Sequence, residues 1–287
     1  MLLTKHRTKA GIRWALDDSF LPPSLDLSAL LELPRETMLR SLGDISIGET
    51  ATGTVLSVST LAPGPSAGEG EEEAPIDPYQ EVWAAGVTYL RSRDARREES
   101  TVADMYQKVY EAERPELFFK SVGWRVAGNG GMIRIRSDSQ WNVPEPELVL
   151  VINRHREIAG YCAGNDLSSR DIEGENPLYL PQAKIYNGSC ALGHGIWLCE
   201  PDAIKDIPMK LTIQRANETV FDGEANTSMM KRSLPELVEF LTRELEFPRG
   251  VFLMTGTCLV PDDFTLQPDD VVIVQVGKTK IENKVQI

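Results

Sequence analysis

The chain has 287 residues, 41% hydrophobic and 25% charged, which is typical of a globular protein with one large domain or one large and one small domain. Its formal net charge of −13 at pH 7 argues against a nucleic-acid partner, since nucleic acids are bound by basic surfaces. No apolar run approaches the roughly 20 residues of a transmembrane helix, so we expect no membrane span.

The cysteines and histidines point to a reduced compartment and away from a zinc site. Cys162, Cys190, Cys199 and Cys258 show no C-x-x-C spacing, which is typical of free thiols in a cytoplasmic protein. Three histidines are too few for a histidine-rich zinc centre. The first residues show no charged segment followed by an apolar one, so no secretory signal is expected.

Residues 1–60 are predicted to form a small N-terminal domain. Residues 25–33 and 35–42 have the apolar spacing of helices, and residues 48–60 alternate as in one or two strands. No residue in this part indicates chemistry, so we interpret it as a packing or oligomerisation element. Residues 61–78 are rich in Pro, Gly and Glu, which predicts an exposed linker or loop.

The remaining residues, 79–287, are predicted to form the catalytic domain. Residues 81–89 have the pattern of a strand, and residues 91–113 are rich in helix formers, with a break near Ser100. Arginines are densest at the start of this helical stretch, and they include Arg91. They fit a solvated helix face with Arg–Glu pairs, or one or two of them meet a substrate carboxylate.

A short strand predicted at residues 115–121 carries a candidate acid or base. Glu116 and Lys120 flank Phe118 and Phe119 in this stretch. A glutamate beside buried aromatic rings can have a raised pKa and can then exchange protons near neutral pH. Glu116 is therefore a candidate catalytic residue.

Three carboxylates mark the centre of the chain. Glu145 and Glu147 precede the strand-forming run Leu-Val-Leu-Val-Ile, and residues two apart on a strand point to the same side. Asp166 ends a second strand-like segment and can add a third oxygen ligand. Carboxylates suit Mg²⁺, and also Mn²⁺ or Ca²⁺. The alternative is that the two glutamates lie on the solvent face of an edge strand, although Pro144 and Pro146 fix the backbone around Glu145.

The rest of the chain is predicted to be rich in strands with one helix. Ser233 and Glu236 have the spacing of a capping box, and an apolar stripe that includes Leu245 follows them. Strands are predicted in the following stretches: residues 132–137, 195–198, 209–215, 218–221, 251–255 and 271–276.

Four separated motifs resemble the fumarylacetoacetate hydrolase family over residues 80–287. They are E-P-E-L-V-L-V, G-Y-x-x-G-N-D-L-S-S-R-D, a lysine ahead of S-C-x-L-G, and the C-terminal T-G-T with L-x-x-D-D-V-V-I-V-Q-V-G-x-x-x-I-E-N-K-V. The longer phrases R-D-I-E-G-E-N-P-L-Y-L-P-Q-A-K and Y-E-A-E-R-P-E-L-F-F-K resemble its branch of 2-dehydro-3-deoxy-pentonate dehydratases, of the arabinonate or xylonate kind.

This resemblance implies a mixed, β-rich (α+β) fold, a β roll or sandwich with few helices, preceded by a small N-terminal α+β domain. It also implies a homodimer or homotetramer. The implied reaction is a metal-dependent removal of water from a 2-dehydro-3-deoxy-pentonate, giving 2,5-dioxopentanoate in pentose oxidation. The metal would be held by Glu145, Glu147 and Asp166, and the substrate is a small 2-oxo acid.

Lys184 is the candidate cation of the site. It could hold the substrate carboxylate, stabilise an enolate or move a proton. A Schiff base is conceivable but unnecessary beside a metal, and a salt bridge to Glu173 or Glu175 is the structural alternative. Arg91, Lys184 and Tyr186 are candidate substrate-binding residues, and by resemblance Gly256 and Thr257 would also contact the substrate. Supports for the ligands are expected at Arg170, Asp171 and Tyr186.

Two other functions remain open at this point. Hydrolases and decarboxylases of the family often carry G-x-N-Y-x-x-H, and here Ser92 stands in place of the histidine. This argues against hydrolysis or decarboxylation of acylpyruvate-type or oxaloacetate-type 2-oxo acids. A non-catalytic binding protein is the third hypothesis, and the full ligand set with Lys184 argues against it. By resemblance, residues 90–105 are expected to act as a lid over the ligand.

Overall fold

The computed structural model describes residues 1–46, 70–91 and 103–287, and most of its regular structure is strand. The strands are β1 (Leu2–Thr8), β2 (Gly11–Leu16), β3 (Ser19–Phe20), β4 (Glu71–Glu73), β5 (Glu81–Gly86), β6 (Glu116–Val122), β7 (Met132–Arg134), β8 (Asn142–Val143), β9 (Pro146–Ile152), β10 (Ile158–Asp166), β11 (Ser168–Ser169), β12 (Cys190–Leu192), β13 (Ile196–Leu198), β14 (Pro208–Arg215), β15 (Glu218–Asn226), β16 (Val251–Met254), β17 (Val271–Val276) and β18 (Thr279–Gln286). The α-helices are α1 (Leu27–Leu31), α2 (Arg35–Ser46), α3 (Ala103–Glu111), α4 (Arg170–Glu175), α5 (Leu180–Lys184) and α6 (Leu234–Thr242). The mixed, strand-rich fold that the sequence predicts is confirmed.

The strands form one large and two smaller sheets. The large sheet has eleven strands; its main path runs β3-β2-β1-β13-β10-β9-β16-β5-β6, with β12 joined to β10 and β4 joined to β1. A five-stranded sheet has the order β15-β14-β17-β18-β7, and β8 pairs with β11. Most neighbours are antiparallel, whereas β16 with β5 and β18 with β7 are parallel.

Strand β9 lies at the centre of the fold and is buried along its whole length. Its alternate side chains enter two different apolar layers, because successive residues of a strand point to opposite faces. Leu148 and Leu150 join the core that the large sheet shares with β14, β17 and β18. Val149 and Val151 join the core that lies under α1 and α2. Both faces are therefore covered, which explains the unbroken apolar run.

The N-terminal strand belongs to the same sheet as the central strands. Leu2 lies opposite Trp197 and Leu3 opposite Ile196, so β1 is hydrogen-bonded to β13. The division into a domain at 1–60, a linker at 61–78 and a catalytic domain at 79–287 stays a prediction. The strands predicted at residues 48–60 lie outside the described residues.

The acidic stretch before residue 78 differs from the predicted loop in the part that the structure describes. Glu71–Glu73 forms β4, which is antiparallel to β1. Glu73 makes ion pairs with Lys5 and Arg7 of β1, and Ile76 is buried in the core. Opposite charge on a neighbouring strand therefore turns this end of the predicted linker into an edge strand.

The predicted helices at residues 25–33, 35–42 and after Ser233 are confirmed as α1, α2 and α6. The Ser233 hydroxyl accepts from the Glu236 N–H, and the Glu236 carboxylate accepts from the Ser233 N–H. Leu245, however, lies beyond the end of α6 and is exposed.

Two short helices, α4 and α5, follow β11 and had no sequence prediction. The Asn176 side chain accepts from the Leu178 N–H and separates the two helices. None of the helices in the described ranges is long and apolar enough to cross a membrane.

Candidate active site

Three buried carboxylates meet where β9 begins and β10 ends. The ligand atoms of Glu145, Glu147 and Asp166 all lie within 4.8 Å of one another. The backbone holds them there, because β9 and β10 are antiparallel and the Asp166 N–H donates to the Glu145 carbonyl at 2.9 Å. The Asn165 side chain also accepts from the Glu145 N–H at 3.1 Å. The alternative that the two glutamates face solvent on an edge strand is therefore wrong.

Lys184, at the end of α5, is bonded directly to two of these carboxylates. Its Nζ donates to Glu145 Oε2 at 2.7 Å, to Asp166 Oδ2 at 2.8 Å and to the Ser168 hydroxyl at 2.6 Å. The Lys184 side chain is buried, so these bonds are shielded from water and are stronger than on a surface. They place a positive charge at the point where Glu145 and Asp166 converge.

Two further cations support the carboxylates from outside the cleft. Lys120 Nζ lies 2.5 Å from Asp166 Oδ1 and donates to the carbonyls of Leu167 and Lys184 at 3.0 and 2.6 Å. Arg170 donates to Glu145 Oε1 at 3.0 Å. The sequence predicted Arg170 as a support, but it gave no role to Lys120.

Glu147 has a different environment from the other two carboxylates. Its Oε2 accepts from the backbone N–H of Gly256 at 2.6 Å. Burial raises the pKa of Glu147 well above its ordinary value, and the charges of Asp166 and Glu145 raise it further, against the opposing effects of Lys184 and Gly256. Gly256 has φ +91°, and a Cβ there would lie 2.1 Å from the Thr88 hydroxyl, so only glycine fits.

A cleft of about 350 Å³, counting its part open to solvent, lies over the carboxylates. Its walls come from four parts of the chain: residues 85–87 with Glu116 and Phe118, the three carboxylates, Glu173 with Lys184, and Gly256 with Thr257.

Glu116 of β6 lies opposite Gly86 in the antiparallel pairing with β5. A Cβ at residue 86 would lie 2.0 Å from Glu116 Oε2, so the glycine leaves room for the carboxylate to lie over the strand. Val87, the next residue of the wall, has φ +54°. This is an outlier for a β-branched residue, and such strained backbone occurs preferentially at functional sites.

The cleft brings together most of the predicted site residues. Glu116, Lys184, Gly256 and Thr257 line it with the three carboxylates. The other predicted residues lie elsewhere in the structure, and Ser92 lies outside the described part of the chain.

Arg91, Tyr186 and Asp171 are not among the residues that line the cleft. Arg91 is half exposed and pairs with Asp262 at 3.5 Å, and the Tyr186 ring packs under the Arg136 guanidinium. The Asp171 carboxylate accepts from the Ser139 hydroxyl and the Gln140 N–H, so it orders the loop before β8. Substrate binding by Arg91 and Tyr186 stays a prediction.

Lys120 and Glu173 belong to the site but were not predicted there. Glu116 and Phe118 lie two positions apart on β6 and both line the cleft, whereas Lys120, where the pairing of β6 with β5 is irregular, reaches Asp166. Glu173 follows Arg170 by three residues, which is one turn of helix α4. No helix was predicted at residues 170–175, so the sequence did not place Glu173 in the cleft.

The match to known proteins extends over most of the chain. The family model for the fumarylacetoacetate (FAA) hydrolase C-terminal domain matches residues 81–286. The chain belongs to the fumarylacetoacetate hydrolase family.

Curated members of the fumarylacetoacetate hydrolase family include two similar dehydratases. A probable 2-keto-3-deoxyxylonate dehydratase of Haloferax volcanii is 48% identical over 206 residues, 70% of each chain. The 2-dehydro-3-deoxy-D-arabinonate dehydratase of Saccharolobus solfataricus is 42% identical over 211 residues, 71% of this chain and 70% of the relative.

A solved structure matches the whole chain. It is a 2-keto-3-deoxy-D-arabinonate dehydratase complexed with magnesium and 2,5-dioxopentanoate, with a TM-score of 0.78 and 31% identity. The match covers 100% of this chain and 99% of the other. The likeness to this dehydratase therefore includes the described N-terminal residues as well as the family domain.

The residues of the cleft fit a divalent cation. All three candidate ligands are carboxylates, the hard oxygen donors that Mg²⁺ prefers. Burial and the neighbouring charges of Asp166 and Glu145 raise the pKa of Glu147, and a dication held by the three carboxylates would oppose both effects. Glu145, Glu147 and Asp166 are therefore the residues that would hold the ion.

Proposed function

We propose that this protein is a magnesium-dependent dehydratase that removes water from a 2-dehydro-3-deoxy-pentonate of the arabinonate or xylonate kind and forms 2,5-dioxopentanoate. The observation that carries the proposal is the convergence of Glu145, Glu147 and Asp166 beside Lys184 in the cleft. It occurs in a fold shared with a dehydratase bound to magnesium and to this product. Conversion of a pentose-derived sugar acid would place the enzyme in pentose oxidation.

The metal site and Lys184 act on the oxo-acid end of the substrate in this proposal. Bound Mg²⁺ would supply Lewis acidity toward the 2-oxo group. The Lys184 ammonium, already at the centre of the carboxylates, stabilises the negative charge that develops as a C3 proton leaves. Gly256 holds Glu147 in place through its N–H, and Thr257 contacts the substrate from the adjacent wall.

Glu116 is the base that we assign to C3. It lines the cleft beside Phe118 and faces the carboxylates from β6. Loss of the C3 proton gives an enolate, which expels the C4 hydroxyl as water. An enolate at C2 and a leaving group at C4 are the two requirements of this elimination, and the 2-oxo acid provides both.

The direct test is an assay with 2-dehydro-3-deoxy-D-arabinonate and -xylonate, with Mg²⁺ or with EDTA, and with products identified by NMR. We expect 2,5-dioxopentanoate with Mg²⁺ and none with EDTA, and we expect Glu145→Gln to be inactive. Release of pyruvate from an acylpyruvate, with the sugar acids unchanged, would replace this proposal by the hydrolase alternative.

We also propose a cytoplasmic location and a homodimer or homotetramer. The four cysteines are free, as expected for a protein of a reducing compartment. Light scattering coupled to size-exclusion chromatography measures the oligomer directly. A mass of about 32 kDa, that of one 31.9 kDa chain, would contradict the assembly.

A further inference from the structure

The cleft contains a carboxylate that the assignments above leave without a role. Glu173 lines the cleft from helix α4 together with Glu116, Lys184 and the three candidate metal ligands. It is 5% exposed, which is unusual for a glutamate and indicates a specific environment. Its neighbour on the same helix, Glu175, is exposed and does not line the cleft.

The position of Glu173 is linked to the metal site through Arg170. Arg170 Nη1 lies 3.4 Å from Glu173 Oε2, and Arg170 Nη2 lies 3.0 Å from Glu145 Oε1. The guanidinium, itself 3% exposed, therefore bridges the two carboxylates and holds Glu173 at the wall of the cleft.

The dehydration proposed above, on which this inference rests, needs proton transfers beyond C3. Elimination of the C4 hydroxyl gives 5-hydroxy-2-oxopent-3-enoate, an isomer of 2,5-dioxopentanoate. Conversion of one into the other removes one proton from C5 and one from the C5 hydroxyl, and it adds one proton at C3 and one at C4. In the intermediate the C3–C4 double bond is conjugated with the 2-oxo group. Loss of a C5 proton therefore gives a delocalised dienolate, and a carboxylate can remove this proton.

We propose that Glu173 is the base that removes the C5 proton in this second half of the reaction. In the first half, Glu116 takes the C3 proton and passes it to the departing C4 hydroxyl, and the C3–H electron pair forms the C3–C4 double bond. Glu116 is then ready for another cycle. The two halves thus use different carboxylates of the same cleft.

In the second half, Glu173 first accepts a proton and then returns it. As the C5 proton moves to Glu173, the C5–H pair forms the C4–C5 double bond and the conjugated electrons shift to the 2-oxo oxygen. Glu173 then returns the proton to C3, which restores the 2-oxo group. The remaining C5 enol loses its hydroxyl proton to water and gains a proton at C4 from water, giving the aldehyde. No oxidant or reductant is needed.

The other titratable residues that line the described cleft have assigned positions. Glu145, Glu147 and Asp166 face one another as candidate ligands, Lys184 donates to three acceptors, and Glu116 is assigned to C3. C3 and C5 are both bonded to C4, so one carboxylate beside C4 reaches both. Glu173 is the cleft residue left for this transfer.

The test compares Glu173→Gln, Glu116→Gln and Glu175→Gln in the full chain with Mg²⁺ and the sugar acid. For Glu173→Gln we expect substrate consumption within about threefold of wild type. We expect 2,5-dioxopentanoate formation to fall at least about 100-fold, with 5-hydroxy-2-oxopent-3-enoate accumulating, visible by its vinyl protons in NMR. Glu116→Gln should lose substrate consumption and exchange of the C3 protons in D₂O. Glu175→Gln should match wild type.

Calorimetric titration with Mg²⁺ alone separates a catalytic role from a structural one, and the affinity of Glu173→Gln should equal that of wild type. The proposal is overturned if Glu173→Gln forms 2,5-dioxopentanoate at the wild-type rate. It is also overturned if this variant loses C3 exchange together with Mg²⁺ affinity, because Glu173 would then only position Arg170 and Glu145. A wild-type protein that leaves both sugar acids unchanged would instead overturn the proposed function.

Discussion

Strands β9 and β10 contain two regions that are equally buried but chemically opposite. Along their middle, Val149, Leu150 and Val151 of β9 are fully buried among apolar side chains. At one end, where Glu147 lies opposite Gly164, the same ladder buries charged groups. One antiparallel pair therefore serves both as the core of the fold and as the frame of the site.

The two regions differ in how burial affects the free energy of folding. Each apolar side chain buried in the middle stabilises the fold by about 1.5–3 kcal/mol. A buried carboxylate is destabilising unless cations and hydrogen-bond donors surround it. Asp166 has Lys120 and Lys184 within 3.0 Å, and Glu145 has Arg170 and Lys184 within the same distance. Glu147 instead accepts from the Gly256 N–H, and its pKa is raised. The site end should thus be the part of the ladder where function is maintained at the expense of stability.

The largest expected effect is at Glu147, where activity and stability should change in opposite directions. Glu147→Gln keeps the shape of the side chain but removes a candidate ligand, so we expect turnover to fall at least about 1,000-fold. The metal-free variant should be more stable than the metal-free wild type at pH 7, because a repelled buried charge is gone. Turnover and chemical denaturation in EDTA measure the two effects.

The pH dependence of this gain follows from the raised pKa of Glu147. Ionisation of a carboxyl whose folded-state pKa is raised destabilises the fold as pH rises above its ordinary value of 4.5. The stability gain of Glu147→Gln should therefore be present at pH 7 and disappear as the pH falls to about 4. A variant that is strongly destabilised in EDTA at pH 7 would contradict this view of the site end.

The next effect concerns the fully buried cation beside Asp166. Lys120→Met removes that charge and three contacts to Asp166, Leu167 and Lys184, so we expect a loss of about 3–5 kcal/mol in the absence of metal. Saturating Mg²⁺ should reduce the loss, since a dication also compensates Asp166. Denaturation with and without Mg²⁺ measures both values.

Lys284→Met is the matched control for Lys120. Lys284 pairs with Asp269 at 2.7 Å, but both side chains are exposed, so its removal should change stability by about 1 kcal/mol or less. Equal losses in the two variants would show that burial of the Lys120–Asp166 pair has no special role.

A change in the apolar middle of the ladder should have the opposite profile. Leu150 is fully buried between Tyr161 and Leu253 of the neighbouring strands, and Leu150→Ala should destabilise the protein by about 2–5 kcal/mol. Turnover per folded molecule should stay near that of wild type at low temperature. Val220→Ala, at an exposed position of β15, should change stability by less than about 0.5 kcal/mol. A large drop in turnover for Leu150→Ala would show that the middle also positions the carboxylates.

The sequence was sufficient to predict that the three carboxylates converge, because the local pattern determines their geometry. The spacing of Glu145 and Glu147 ahead of an apolar run, with prolines on both sides, is enough to place both carboxylates on one side of the chain. Asp166 could be added because it ends the next strand. These are short-range rules, and the structure satisfies them.

The residues that the sequence did not predict depend on contacts between distant parts of the chain. Lys120 contacts Asp166 although the two residues are 46 positions apart in the chain. In the sheet order, β5, β16 and β9 also lie between β6 and β10. Glu173 enters the cleft because α4, which follows β11, packs against β8 and β11. Neither position follows from periodicity alone, and at Lys120 the pairing of β6 with β5 is irregular.

The smallest effect that still separates the two regions is stabilisation by the metal itself. A ligand that binds only the folded state adds about 2.7 kcal/mol at 100 times its Kd, so Mg²⁺ should raise the Tm of wild type. Leu150→Ala keeps the site, so its Tm should rise by a similar amount from a lower starting value. Glu147→Gln should show little rise, because one of the three carboxylates is gone. If Mg²⁺ stabilised Glu147→Gln as much as wild type, the ion would bind elsewhere, and the three carboxylates would be a charge network that does not hold the metal.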